Sequence, residues 1–302
     1  MKVVELSGGV GGARMARGLA AVHDIDLTVI VNVGDDLPTH GLHIAPDLDT
    51  MVYTLAGVQG PHGWGRSGDS FVTNSELARF GLNNDFKLGD LDLALKIFRT
   101  LRLTEGSPLS EVTDTVRASF DIRSSIIPAS DDPVRTVVTT DEGDVLSFQE
   151  YFVNRGHRDH VASIEFEGAK TARPAPGVIA AIESADTVII GPSNPVMSIW
   201  PILSVEPIRD AVRAHHRVVA ISPLIGGRAL RGPADVVLSD LGIGVGTGGV
   251  LAAYQGLIEM LVVDSVDKAD TGTREGVKVV AHETLISEPA KAEQLARAIL
   301  GL

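Results

Sequence analysis

Four glycines crowd the stretch "SGGVGGA" at 7–13, between an apolar run and a helical one. Glycines in such a turn let backbone N–H groups point at an anion beside a helix N-terminus, as a phosphate cradle requires. Two familiar phosphate-binding patterns nevertheless fail. Read from Gly9, G-x-G-x-x-G meets Arg14 where its third glycine should stand. No Lys-Ser or Lys-Thr follows to complete a P-loop. The other reading is a tight strand-to-helix turn that holds nothing.

Acids gather nearby. "NVGDDLPTHG" carries Asp35 and Asp36, and "PDLDT" carries Asp47 and Asp49 at a predicted helix start after Pro46. Residues two apart diverge on a helix and face together only in an extended segment. Asp47 and Asp49 therefore share a ligand only if the helix begins at or after Asp49. N-capping would need just one of them. Four acids in two neighbouring loops favour a hard cation, most economically Mg²⁺ held by one or two carboxylates plus substrate phosphates.

Other residues allow two readings each. In "NNDFKLGDLDLALKIF", Lys87, Asp90 and Asp92 either belong to a site or are a surface lysine and helix caps. In "SDDPVRT", Arg135 opens a strand, where it could clamp a phosphate in bidentate fashion or simply pair with Asp131 or Asp132. The histidines lack H-x-x-x-H and H-E-x-x-H spacing, so a zincin or structural zinc site is not expected. Glycine cradles, acids for a metal and one or two cations are the parts that phosphoryl chemistry requires.

Parallel strands buried on both faces are predicted from the Val- and Ile-rich runs Val3–Leu6, Leu27–Val33, Thr187–Ile190, Val218–Ile221, Met260–Val263 and Val277–Val280. Helical patterns alternate with them at Ala13–Ala21, Pro176–Ser184, Pro207–His215, Gly249–Glu259 and Pro289–Leu302. The fold class is α/β, a Rossmann-like doubly wound, mostly parallel sheet. Between 37 and 176 the rhythm changes to helices and a hairpin, which predicts a largely helical inserted cap. The core is then 1–36 and 177–302, in one compact unit. Ligands in such sheets bind beyond the strand carboxyl ends, where "SGGVGGA", "NVGDDLPTHG", "GPSNPV" and "SPLIGGRALRGPAD" all fall.

Composition sets outer bounds. The 302 residues hold 26 basic and 39 acidic side chains, a net charge of −13. That disfavours duplex nucleic acid or an anionic membrane as partner, and it obliges any bound polyphosphate to bring a metal or meet placed cations. With no cysteine, disulfides, thiolate metal sites and thiol catalysis are excluded. A short apolar N-terminal run and the absence of a membrane-length apolar stretch predict a cytoplasmic protein.

Read in order, "LSGGVGGARMARGL", "NVGDD", "PDLDTMVYTLAG", "GWGRSGDSF", "FKLGDLDLA", "PLSEVT", "PASDDPVRT", "QEYFV", "GPSNPVMSIWPIL" and "SPLIGGRALRGPAD" resemble the 2-phospho-L-lactate transferases of coenzyme F-420 biosynthesis, archaeal and actinobacterial. The resemblance covers nearly the whole chain. It implies a homodimer, Mg²⁺ and a particular reaction. The terminal ribityl hydroxyl of the deazaflavin Fo attacks the phosphorus bearing the three-carbon acid of a guanosine diphosphate conjugate, and GMP leaves. Archaeal members would use the lactyl conjugate and actinobacterial members the enolpyruvyl conjugate.

The resemblance also assigns residues. Asp47 and Asp49 would hold the metal near the acceptor hydroxyl, and acid–base chemistry adds Asp49 as general base. Lys87 would serve Fo binding, and Lys87 or Arg135 would stabilise charge on the transferred group. Gly8, Gly9, Gly11, Gly12, Ser193, Asn194, Gly226 and Gly227 would line the guanosine diphosphate moiety. Beyond the resemblance, the charge of Arg14 would neutralise the diphosphate, with Asp35, Thr50 and Asp90 as further substrate contacts. Two other readings compete: a non-catalytic sugar-nucleotide-binding regulator of the related morphogenesis family, and an NAD(P)-dependent dehydrogenase, which the failed glycine fingerprint disfavours.

Overall fold

The computed structural model of the chain describes residues 1–82 and 87–301. Its centre is an eight-stranded sheet. The strands are β1 (Lys2–Ser7), β2 (Asp26–Val31), β3 (Ser125–Pro128), β4 (Thr187–Ile190), β5 (Val218–Ile221), β6 (Met260–Asp264), β7 (Gly272–Arg274) and β8 (Val277–His282). Their order is β7-β8-β6-β5-β4-β1-β2-β3. Every neighbouring pair is parallel except β7 with β8. The central strands are buried throughout, as in Val188, Ile189 and Ile190 of β4 and Val218 to Ile221 of β5. Sheets covered on both faces demand such runs. Within this core Glu5 of β1 is a fully buried acid, and burial pushes its pKa well up.

Chain order reverses between β1 and β4, so the crevice beyond their carboxyl ends is the topological switch point where ligands of such sheets bind. Helix α1 (Gly9–Ala21) rises directly from β1. It lies against the C-terminal helix Pro289–Leu300, so closely that a side chain at Gly18 would collide with the Ala292 backbone. Helix α2 (Pro46–Leu55) packs on the other side of α1.

The segment between β2 and β4 adds α3 (Val72–Arg79), α4 (Asp90–Thr104), α5 (Leu109–Ser119) and a three-stranded antiparallel sheet. Arg135–Thr140 is the middle strand of that sheet, between Val145–Ser147 and Val161–Glu167. Only part of this segment stands outside the core. β3 comes from within it and completes the main sheet beside β2.

Helix α4 packs Leu95, Phe98 and Leu103 against the core, yet its most deeply buried side chains are charged. It buries Asp92, Lys96 and Arg99 while Leu91, Ile97 and Leu101 are exposed. Among the described residues no helix is long and apolar enough to cross a membrane.

Candidate functional site

Three pieces of backbone meet at the switch point: the β1–α1 loop, the end of β2 and the loop after β4. Ser193 ties the first to the third. Its hydroxyl donates to the Gly8 carbonyl (2.7 Å) and accepts the Gly8 N–H (3.2 Å). The glycines permit this proximity. A Cβ at Gly11 would strike the Pro192 carbonyl, one at Gly12 would strike the Ser7 and Ser193 hydroxyls, and one at Gly8 would lie 2.6 Å from Asp47 Oδ2. Gly9 differs: open space surrounds it, but its φ of +65° suits glycine.

Helix α1 has no side-chain N-cap and no acid in its first turn. Its leading N–H groups and positive dipole end are thus left for an external anion. One of the loop donors is already taken, because the Gly9 N–H donates to Asp47 Oδ1 at 2.8 Å. The Asn32 side-chain amide donates to Asp47 Oδ2 at 2.9 Å, and Asn32 Oδ1 accepts the Gly34 N–H at 2.7 Å. Asn32 therefore couples the end of β2 to the acid at the start of α2.

Asp47 is buried, and burial raises its pKa to about 6 despite these hydrogen bonds. Asp35 is buried too, with its Oδ1 unpartnered. Burial and then the Asp47 charge push its pKa well up. Two neighbouring acids held at this cost, one with an orphan oxygen, form a donor set that suits a hard cation. Among the described residues no three His, Cys, Asp or Glu side chains form a ready-made cage. A magnesium ion fits that arrangement, since it prefers one or two carboxylates and takes its remaining oxygens from water and phosphate.

Asp49 does not join them. Helix α2 starts at Pro46, ahead of both acids, so Asp47 and Asp49 diverge as helical geometry requires. Asp49 Oδ2 meets Lys96 Nζ at 2.7 Å, and its Oδ1 pairs with the Arg99 guanidinium. Burial alone would raise its pKa, but Arg99 and Lys96 outweigh that and hold it low. Lys96 also pairs with Asp92, which accepts the Tyr53 hydroxyl at 2.7 Å. The structure thus places Asp49 apart from Asp35 and Asp47, with both oxygens on cations, and a carboxylate so stabilised is a weak base.

The remaining predicted residues scatter. Asp90 accepts from the Ser70 hydroxyl and the backbone N–H groups of Val72 and Thr73, which lower its pKa. It caps α3, while Asp69 accepts from Leu91 and Asp92 N–H and caps α4. The Asn194 side chain accepts from Val196 and Met197 N–H, capping the turn after β4. Gly226 donates its N–H to Asp267 at 2.9 Å, and Gly227 lies against Gly246. Thr50 is buried on α2, and Lys87 is exposed. Phe86 of the same motif lies outside the described residues.

Arg135 is exposed and pairs with neither nearby acid, because Asp131 binds Ser110 and Asp132 binds the Arg173 backbone. It lies between two clefts of about 400 and 450 Å³ that flank Asp36, Leu37 and Pro38. The first also takes in Asp35, Thr136, Phe148 and Gln149. Such volumes suit small-molecule ligands. Asp36 sits between the clefts with its Oδ2 on His43 Nε2 at 2.9 Å, and burial raises its pKa.

Lys96, Arg99 and Asn32 are the residues that sequence reasoning missed. The signal for the first two was the Asp92–Lys96–Arg99 spacing, which puts three charges on one face of a helix.

A family model described as 2-phospho-L-lactate transferase CofD matches residues 3–299. The chain is 41% identical to the phosphoenolpyruvate transferase of Streptomyces griseus, covering 100% of this chain and 98% of that one. It is 39% identical to the 2-phospho-L-lactate transferase of Methanopyrus kandleri, covering 99% and 97%. Among solved structures, protein BH3568 of Bacillus halodurans superposes with a TM-score of 0.67 at 18% identity, over 99% of this chain and 98% of that one. That identity speaks for a shared fold alone.

Proposed function

This chain belongs to the 2-phospho-L-lactate transferase CofD family, transferases of coenzyme F-420 biosynthesis, and from that premise we propose the reaction it performs. The donor is a guanosine diphosphate conjugate of lactate or enolpyruvate, and the acceptor is the deazaflavin Fo. The terminal ribityl hydroxyl of Fo attacks the phosphorus that bears the acid. The bond from that phosphorus to the bridging oxygen breaks, GMP departs with that oxygen, and the hydroxyl proton passes to water or to the departing phosphate.

One observation carries this reading: the uncapped glycine-rich start of α1 and the buried acids Asp35 and Asp47 share one sheet edge. The first suits an anion and the second suits a cation. A phosphate beside two ionised carboxylates is repelled, and a bound metal would offset that repulsion. Asp35 and Asp47 would hold the Mg²⁺, which when bound supplies charge neutralisation for the donor phosphates.

The chain's own groups do the rest. The Gly8–Gly12 turn and the α1 N-terminus orient the diphosphate. Asn32 and the Gly9 N–H fix the Asp47 carboxylate. The cleft of about 400 Å³ beside Asp35 accommodates the acceptor, and Arg135 at its margin stabilises charge on the transferred phosphoryl group. Lys96 and Arg99 hold α2 in place through Asp49 rather than touching substrate. We further propose a homodimer.

Incubating the protein with Fo, Mg²⁺ and each guanylyl conjugate separately tests the proposal. GMP and a phosphorylated deazaflavin should form with one donor or both. No product with either conjugate would overturn the reaction, and nucleotide binding without turnover would favour a regulator.

A further inference from the structure

Val10, Arg14 and Arg17 are partly covered side chains along one stripe of α1, whose residues 12, 13, 15, 16, 18 and 19 are buried. Spacings of four and three residues put them on one face. The loop at 60–66 closes over the first of them, since a Cβ at Gly63 would come within 2.6 Å of the Val10 side chain. That loop is anchored by Arg231, whose Nη1 donates to the His62 carbonyl at 2.6 Å. Three arginines, from α1 and from the segment after β5, thus meet beside the glycine turn.

Nothing anionic among the described residues answers them. Among the described residues Arg14, Arg17 and Arg231 take part in no ion pair, and the buried Nε of Arg17 has no partner. Burial and then the Arg231 and Arg17 charges lower the Arg14 pKa. A protein with 39 acidic and 26 basic residues has carboxylates to spare, yet leaves these three unpaired. Like charges gathered without a counter-ion are unfavourable in the empty protein. They become favourable when an anion arrives, and guanidinium forks match carboxylate and phosphate oxygens.

We infer that Arg14, Arg17 and Arg231 form an anion subsite flanking the glycine turn, which takes a phosphate or carboxylate of the same ligand that the turn holds. The distances allow this. Arg14 and Arg17 lie five and eight residues after Gly9, about 7.5 and 12 Å along the helix, and their long side chains lean back toward the N-terminus. The inference rests on reading the turn as the donor site. Within that reading it supplies what the turn lacks, since one helix N-terminus cannot neutralise a diphosphate and a carboxylate together.

Binding to the full chain decides it, measured calorimetrically with GDP and with phosphoenolpyruvate as separate probes. Arg17→Gln, Arg231→Gln and the double variant are compared with Arg213→Gln, an exposed arginine of the helix Glu206–Ala214. Arg17→Gln should melt at or above the wild-type temperature, because repulsion is removed, whereas Arg231→Gln also gives up its bond to the His62 carbonyl and should melt no more than a few degrees lower. In the double variant at least one probe should bind about tenfold more weakly, while Arg213→Gln leaves both unchanged. Weakened GDP binding marks a phosphate as the occupant. Weakened phosphoenolpyruvate binding with intact GDP binding marks the carboxylate. Both probes binding the double variant within twofold of wild type, or neither binding wild type, would overturn the subsite. Wild-type binding without turnover would instead sink the transferase reaction and leave the subsite standing.

Discussion

Asp47 and Asp49 occupy the first turn of one helix and have opposite surroundings: Asp47 faces the Gly9 N–H and the Asn32 amide, and Asp49 faces Lys96 and Arg99. The helical rotation between them separates a binding group from a structural one. The two aspartates should therefore respond differently to the same substitution.

Asp49→Asn leaves two buried cations with diminished compensation. Breaking one side of a buried ion-pair network costs about 3–5 kcal/mol. Urea unfolding should show that loss, together with reduced soluble yield. Asp47→Asn puts a neutral isostere beside Gly9 and Asn32, so at neutral pH, where the buried charge is unfavourable in the metal-free wild type, unfolding should show no loss of stability while turnover disappears. Equal stability losses in the two variants would contradict the separation.

The raised pKa of Asp47 also makes stability depend on pH. A buried acid whose folded pKa is about 6, against 3.8 for its ordinary value, binds its proton more tightly in the folded state. The metal-free protein should lose stability as pH rises from about 4 through 6, by on the order of 3 kcal/mol from this group. Asp35, raised in the same direction, adds to the slope. Asp47→Asn should flatten the profile, and millimolar Mg²⁺ should do so in the wild-type protein if the metal replaces the proton. Thermal melts across that pH range read both effects.

The alternation of short apolar strands with helices was legible in the sequence because parallel strands buried on both faces leave few other residue choices. It was also enough to place four chemistry-bearing loops at one edge. Burial direction was not legible where charge and apolar pattern compete. In α4, Lys96 and Arg99 go inward to meet Asp49 of α2 while Leu91, Ile97 and Leu101 stay exposed, which the sequence reading of that segment did not foresee. Asp90 read as a substrate contact or as the cap of its own helix. It caps α3 instead, since the chain doubles back through Ser70. Such pairings join residues distant in sequence, so no local spacing encodes them.

The glycines of the β1–α1 turn should fail in distinguishable ways. Gly11→Ala drives a methyl into the Pro192 carbonyl, which must move and take the Ser193 tie to Gly8 with it. About 1–3 kcal/mol of stability should be lost, along with GDP affinity. Gly9→Ala meets no neighbour, so its cost is the left-handed backbone alone, about 1 kcal/mol. Comparing urea midpoints with calorimetric GDP affinities separates collision from strain.

Arg135 offers the cleanest test of the cleft, because its substitution should touch chemistry without touching the fold. It is exposed, and its neighbours Asp131 and Asp132 are bonded elsewhere, to Ser110 and the Arg173 backbone. Arg135→Gln should thus unfold within about 0.5 kcal/mol of wild type. If its guanidinium stabilises the transferred phosphoryl group, kcat should fall by roughly 10²-fold while the donor KM changes less, since charge develops after the donor has bound. Arg135→Lys should recover part of the rate, as a point charge without the fork's bidentate geometry. A raised acceptor KM at unchanged kcat would make Arg135 a binding residue of the cleft instead. Unaltered kinetics would place the phosphoryl group away from this margin, toward the arginines beside α1.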